Sequence, residues 1–303
     1  MSTWLHRTFM SRRPRRLRAG WRIAIQTALE LILYIFLIFI FFRNVSNTNH
    51  QALVFDRLIF LAATTLSIFL ARHYLDRRSF ASLGLNIDFW MPWDLIFGFL
   101  LAGLLMAGIY SFEFQLGWLK FIGYRWQQDS LGTVLSETFS GFLVLGICPS
   151  WQEELIYRGY WLQNLKEGLN LTAAIILTSI TFGVRHLVNP YASVLSTLVI
   201  CLAGLWLAHA WLTTHQLWLP LGIHAGWNFF EGIVFGFPVS GVNSFHLIEQ
   251  TVTGPVWITG GEFGPEAGFV SIVAIGIGTL SVFAWGRWRA HWMERTHTQS
   301  AKI

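Results

Sequence analysis

Trp151-Gln152-Glu153-Glu154-Leu155-Ile156-Tyr157-Arg158 follows an apolar run of membrane length, and its reading decides the fold. Two adjacent carboxylates, with an arginine four residues after the second, are costly this close to hydrocarbon, so their default reading is functional. On a helix Glu154 and Arg158 are i,i+4 neighbours with the acid on the favourable N-terminal side, and they can pair. Glu153 points about 100° away and is free for another task. A carboxylate held by an arginine, beside one left unpaired, suits a general base next to its support. A purely structural alternative makes Ser150-x-x-Glu153 a capping box after a helix break at Pro149. That alternative accounts for Glu153 but not for Glu154 and Arg158.

The surrounding chain supports a membrane setting. Of its 303 residues, 54% are hydrophobic and 12% charged, against roughly 25% charged in soluble domains. The expected fold class is all-α, a polytopic membrane helical bundle. At about 20 apolar residues per crossing, the spans fall near residues 21–42, 53–75, 95–112, 133 onward with a break at Pro149, 171–188, 192–213, 218–237 and 267–287. That makes about eight transmembrane helices. The division is a basic segment 1–20, one bundle 21–290 with a catalytic core near 130–235, and a tail 291–303. Cys148 and Cys201 sit in apolar stretches and read as free, buried thiols.

Charge sets the expected orientation. Arg7, Arg12, Arg13, Arg15, Arg16, Arg18 and Arg22 precede or open the first span. A span follows so directly that the cluster reads as an orientation signal rather than a nucleic-acid site. The first apolar run is too long, and lacks the small-residue site, for a removable signal peptide. Lys and Arg recur around 72–78, 158–166 and 287–302, which puts both termini in the cytoplasm. Arg185, near the outer end of span five, is a mild exception. Loop 238–266 has no Lys or Arg, only Glu249, Glu262 and Glu266. An ordinary exoplasmic connector is the favoured reading for it, a lid the alternative.

Further polar residues recur at helical spacing. Phe182 and His186 are one turn apart, as are His224 and Asn228, with Ala225 and Gly226 between them to admit a neighbouring helix. Glu231 shares the His224/Asn228 stripe, facing the same cavity or reaching the interface. His209 reads as a hydrogen-bonding contact across helices, and Glu30 as a buried polar contact or a carboxylate reaching the interface. One base, two imidazoles and one carboxamide supply what amide hydrolysis needs, a group to activate water and donors for the oxyanion.

Taken in order, Glu153-Glu154-x-x-x-Arg158, Phe182-x-x-x-His186 and His224-x-x-x-Asn228 resemble the three-motif signature of the CPBP family. That family comprises type II CAAX-prenyl endopeptidases and bacteriocin-processing or immunity proteins, also called the Abi family. The resemblance covers about residues 130–235. It implies an intramembrane endopeptidase acting on a membrane-associated or lipid-linked peptide or protein. Glu153 would be the base, helped by His186, while His224 and Asn228 would hold the oxyanion. Glu154 and Arg158 would be a supporting pair, and Phe182 would shape the pocket. Glu153, His186 and His224 could also supply a three-ligand zinc site. No HExxH is present, so metal-independent water activation is favoured and zinc stays open. The competing class is non-hydrolytic: an immunity or scaffold factor, or a small transporter, although no inverted repeat supports transport. One tension remains in these limits, which place His186 near the outer end of its helix and Glu153 near the inner end of its own.

Overall fold

Backbone polar groups find no partner in hydrocarbon other than the chain itself, so long apolar runs become helices. The computed structural model describes residues 16–41 and 49–300. Arg7, Arg12, Arg13, Arg15, Arg43 and Lys302 lie outside the described residues. The helices are α1 Ala19–Phe41, α2 Asn49–Leu70 extended by a π turn to Leu75, α3 Met91–Gln115, α4 Leu131–Gly168, α5 Leu171–Arg185, α6 Val194–Thr214, α7 Trp218–Asn228 extended by a π turn to Val234, the short α8 Val256–Thr259, and α9 Phe269–Ser300. Seven described helices are long and apolar enough to cross a membrane, so the protein is an integral, multi-pass helical bundle. The eighth expected span corresponds to α7, an 11-residue helix with six π residues after it. Enclosed by its neighbours along nearly all of its length, α7 forms the centre of the bundle.

No helix break occurs at Pro149. Helix α4 is continuous for 38 residues, because π segments at Phe142–Ile147 and Leu155–Trp161 flank Cys148–Glu154 and Pro149 falls in its first turn. Pro149 follows directly on the wide π turn, where the regular i→i−4 ladder is already interrupted, so its missing N–H costs little. Ser150 is no cap: its hydroxyl donates back to the Gly146 carbonyl at 2.6 Å.

The long α4 also resolves the conflict over depth. Glu153 lies 15 residues before Gly168 (168 − 153), and His186 lies 15 residues after Leu171 (186 − 171). At about 1.5 Å per residue, the two stand level on either side of the α4–α5 turn. A network of ion pairs anchors that end of the bundle. Asp76 takes Arg22 at 2.5 Å and Arg72 at 2.8 Å, while Glu167 takes Arg16, Arg22 and Arg78. Deeper in, Glu30 accepts from Thr64 at 2.6 Å and from Gln26 at 3.0 Å, the buried contact rather than the interfacial alternative.

Glycines allow α7 to press into α3. A Cβ on Gly222 would stand 2.4 Å from the Leu95 carbonyl oxygen, and one on Gly226 would stand 2.6 Å from that of Phe99. Backbone cannot yield as a side chain can. Gly222→Ala should therefore lower stability by about 1–3 kcal/mol, the cost of overpacking, read as a fall in melting temperature in detergent. An unchanged melting temperature would show that the α3–α7 contact is looser than described.

Loop 238–266 is not a plain connector. Its Ile248–Val252 strand (β2) pairs antiparallel with Leu119–Tyr124 (β1), Leu119 opposite Val252 and Tyr124 opposite Ile248. Arg125 adds an ion pair to Glu249 at 2.7 Å. The ribbon ties the loop to the end of α3, and Val239, Thr259 and Phe263 bury themselves against the helices. The reason is apolar content: a loop with this many Phe, Val and Ile side chains gains by folding back.

Candidate active site

Glu154 is fully buried, and its Oε1 takes two donors: Arg158 Nη1 at 2.8 Å and His224 Nδ1 at 2.9 Å. The pairing with Arg158 was expected from spacing, the contact to His224 was not. An ionised carboxylate only accepts, so Nδ1 must carry a proton and the tautomer of His224 is set. Its Nε2 then faces Glu153, with 3.7 Å to Oε2. Arg158 also donates to the Gly204 carbonyl at 3.0 Å, and its guanidinium lies 4.6 Å from the centre of the Phe182 ring. Phe182 in turn touches both imidazoles, with ring centres 5.0 Å from His186 and 6.0 Å from His224.

The two glutamates therefore differ in setting. Glu154 is sealed behind the helices, whereas the Glu153 side chain keeps 14% exposure and opens into a cavity of about 260 Å³. His186, His224, Asn228 and Phe182 line the same cavity. His186 caps α5, where its Nδ1 donates to the Phe182 carbonyl at 2.7 Å and leaves Nε2 for the cavity. Asn228 uses one amide hydrogen on the Leu145 carbonyl at 3.0 Å. Its second amide hydrogen is available to a ligand. All four residues assigned to the chemistry thus share one space.

The other polar residues sort differently. His209 does not line the cavity; it lies at the α6–α9 contact beside Thr279. Glu231 neither lines the cavity nor reaches an interface. It is wholly buried, its Oε1 against Gly264 and its carboxyl beside Glu266. Glu266 itself does reach the cavity wall, held by Ser240 Oγ at 2.5 Å. Sequence reasoning missed Ser240 and Glu266, which arrive on a loop, and Arg57 and Arg185, which also line the cavity. The two arginines had a legible signal: both are cations within apolar helices.

Residues 135–230 match the family described as Rce1-like, type II CAAX prenyl endopeptidase. The match supports a CPBP-family intramembrane protease. It spans α4, α5, α6 and most of α7 with its π turn, which carry every residue of the three motifs. No curated protein matches the chain. Outside the matched residues, α2, loop 238–266 and α9 contribute to the cavity wall through Arg57, Val239, Ser240, Val242, Glu266, Ser271 and Ile275.

The zinc alternative was tested on the donor set. Among the described residues, no group of three or more His, Cys, Asp or Glu side chains is placed to hold a metal ion. In the trio Glu153, His186 and His224, each imidazole engages a protein oxygen through Nδ1 and keeps Nε2 for the cavity, an orientation that serves water activation and metal ligation alike. No step below is routed through a metal.

Proposed function

We propose that the protein is an intramembrane endopeptidase in which Glu153 activates water to cleave a peptide bond of a membrane-associated or lipid-linked substrate. The observation that carries this reading is the unlike pair of glutamates. One is buried and committed to Arg158 and His224; its neighbour is open to the cavity and faces a histidine. Water between Glu153 and the His186 Nε2 gives up a proton to the carboxylate as its oxygen attacks the carbonyl carbon. Negative charge then develops on the carbonyl oxygen, where His224, a donor at both nitrogens in its imidazolium form, and the free Asn228 amide hydrogen can receive it. When the C–N bond breaks, the proton on Glu153 passes to the leaving amine, so atoms and charge balance.

Purified protein in nanodiscs, incubated with a pool of apolar peptides and lipidated peptides, should generate new termini detectable by mass spectrometry. Absence of cleavage across the pool, from protein that is folded and monodisperse, would favour the non-hydrolytic reading.

Orientation belongs to the same reading. Both termini are assigned to the cytoplasm and loop 238–266 to the opposite side, from the distribution of Lys and Arg. A membrane-impermeant maleimide applied outside intact cells should label Ser244→Cys and spare Ser300→Cys. The reverse pattern would invert the bundle.

A further inference from the structure

Two guanidinium groups line the catalytic cavity, and the hydrolysis described above uses neither. Arg57 comes from α2 and Arg185 from the last turn of α5. The Arg185 guanidinium lies 5.7 Å from the centre of the Phe60 ring, one turn along α2 from Arg57, so both cations belong to the same wall. The other neighbours of Arg185 are the Tyr157 hydroxyl and the Glu153 carboxylate.

What sets these two apart is how the chain treats its other arginines. Each fully buried arginine reaches a carboxylate: Arg22 and Arg72 share Asp76 at 2.5 and 2.8 Å, Arg158 takes Glu154 at 2.8 Å and Arg289 takes Asp94 at 2.9 Å. Arg57 and Arg185 form no ion pair within 4.0 Å among the described residues, and Arg57 Nε is buried with no hydrogen-bond partner. Arg57 is half-buried and has no carboxylate of its own, so it draws in an anion that supplies one, with Arg185 on the same wall. The planar guanidinium fork matches a carboxylate. Both line the cavity that holds Glu153, His186 and His224, which points to a group carried in on the peptide.

We propose that Arg57 and Arg185 form an anion seat that receives a carboxylate of the peptide substrate, its C-terminus or an acidic side chain. The seat then fixes how far from that carboxylate the cleaved bond can lie. The location of the cleaved bond rests on the proteolytic reading; the seat itself is a binding site and can be tested without turnover.

The test uses a His186→Ala background, which leaves the charge of Glu153 in place, in phosphatidylcholine nanodiscs. Three dansylated apolar tetrapeptides are compared by fluorescence anisotropy: one with a free C-terminal carboxylate, its C-terminal amide, and an amide carrying one internal glutamate. The free acid should bind about tenfold or more tightly than the plain amide, as a charge-assisted contact requires. Adding Arg57→Gln or Arg185→Gln should shrink that ratio below about threefold, and Arg185→Lys should restore part of it. Recovery of binding by the glutamate-bearing amide would assign the seat to any carboxylate; failure to recover would assign it to the terminus. The same acid-to-amide ratio with and without Arg57, in protein of unchanged melting temperature, would overturn the proposal. Loss of the acid preference on adding phosphatidylglycerol, with no dependence on either arginine in its absence, would also overturn it. Wild-type protein that fails to cleave yet keeps the acid preference would count against proteolysis alone.

Discussion

Replacing Glu153 with Gln should lower turnover by a factor of about a hundred or more while the melting temperature stays within about 1 °C. The substitution preserves size and leaves a carboxamide that can still hold water, but it removes the group that takes the proton. Little stability is at stake, because among the described residues Glu153 has no salt-bridge partner closer than the 3.7 Å to His224 Nε2. The measurement is the initial rate of peptide cleavage together with thermal unfolding on the same preparation. An active, stable Glu153→Gln protein would falsify the assignment of the base and move it to a residue elsewhere on the cavity wall.

The neighbouring substitution should behave in another way. Glu154→Gln deprives a fully buried arginine of its counter-charge, and breaking a buried pair costs roughly 3–5 kcal/mol. It should also loosen His224, because the carboxamide oxygen left to accept from Nδ1 is uncharged and weaker. Activity and melting temperature should therefore fall together, and Arg158→Ala should resemble it in stability. In the double variant Glu154→Gln with Arg158→Gln no uncompensated charge remains, so a good part of the lost stability should return. Activity should not return with it, since His224 still lacks its charged acceptor. If the double variant were as unstable as the sum of the single ones, the pair would be uncoupled and Arg158 would be held mainly by the Gly204 carbonyl and the Phe182 ring.

Much of this site was legible in the sequence because membranes make polar residues conspicuous. Glu153, His186, His224 and Asn228 stood out as ionisable or amide groups in apolar runs, and the i,i+4 spacing correctly paired Glu154 with Arg158. Spacing within one helix says nothing about contacts between helices, so the bond from His224 to Glu154 was out of reach. The same limit hid the surroundings of Glu231: the π turn Phe229–Val234 takes it off the face that His224 and Asn228 turn to the cavity, and its neighbour, Glu266, comes from a loop. Pro149 misled for a different reason. Proline ends a regular helix, and the sequence carries no marker that π segments on both sides will absorb it. Loop 238–266 was underestimated because its glycines and prolines suggest a connector, while Val239, Thr259 and Phe263 bury themselves against the bundle.

The two π segments give Cys148–Glu154 an unusual freedom. Each wide turn shifts the angular phase of whatever lies beyond it, much as a one-residue insertion in a regular helix does. The glutamates sit between two such shifts, so the short segment that bears them is phased independently of the outer half of α4 and of the half that runs to Gly168. Rotation of the reacting face can be adjusted without sliding either end of the helix through the bilayer. Depth and azimuth, which an uninterrupted helix locks together, become separate variables in this one.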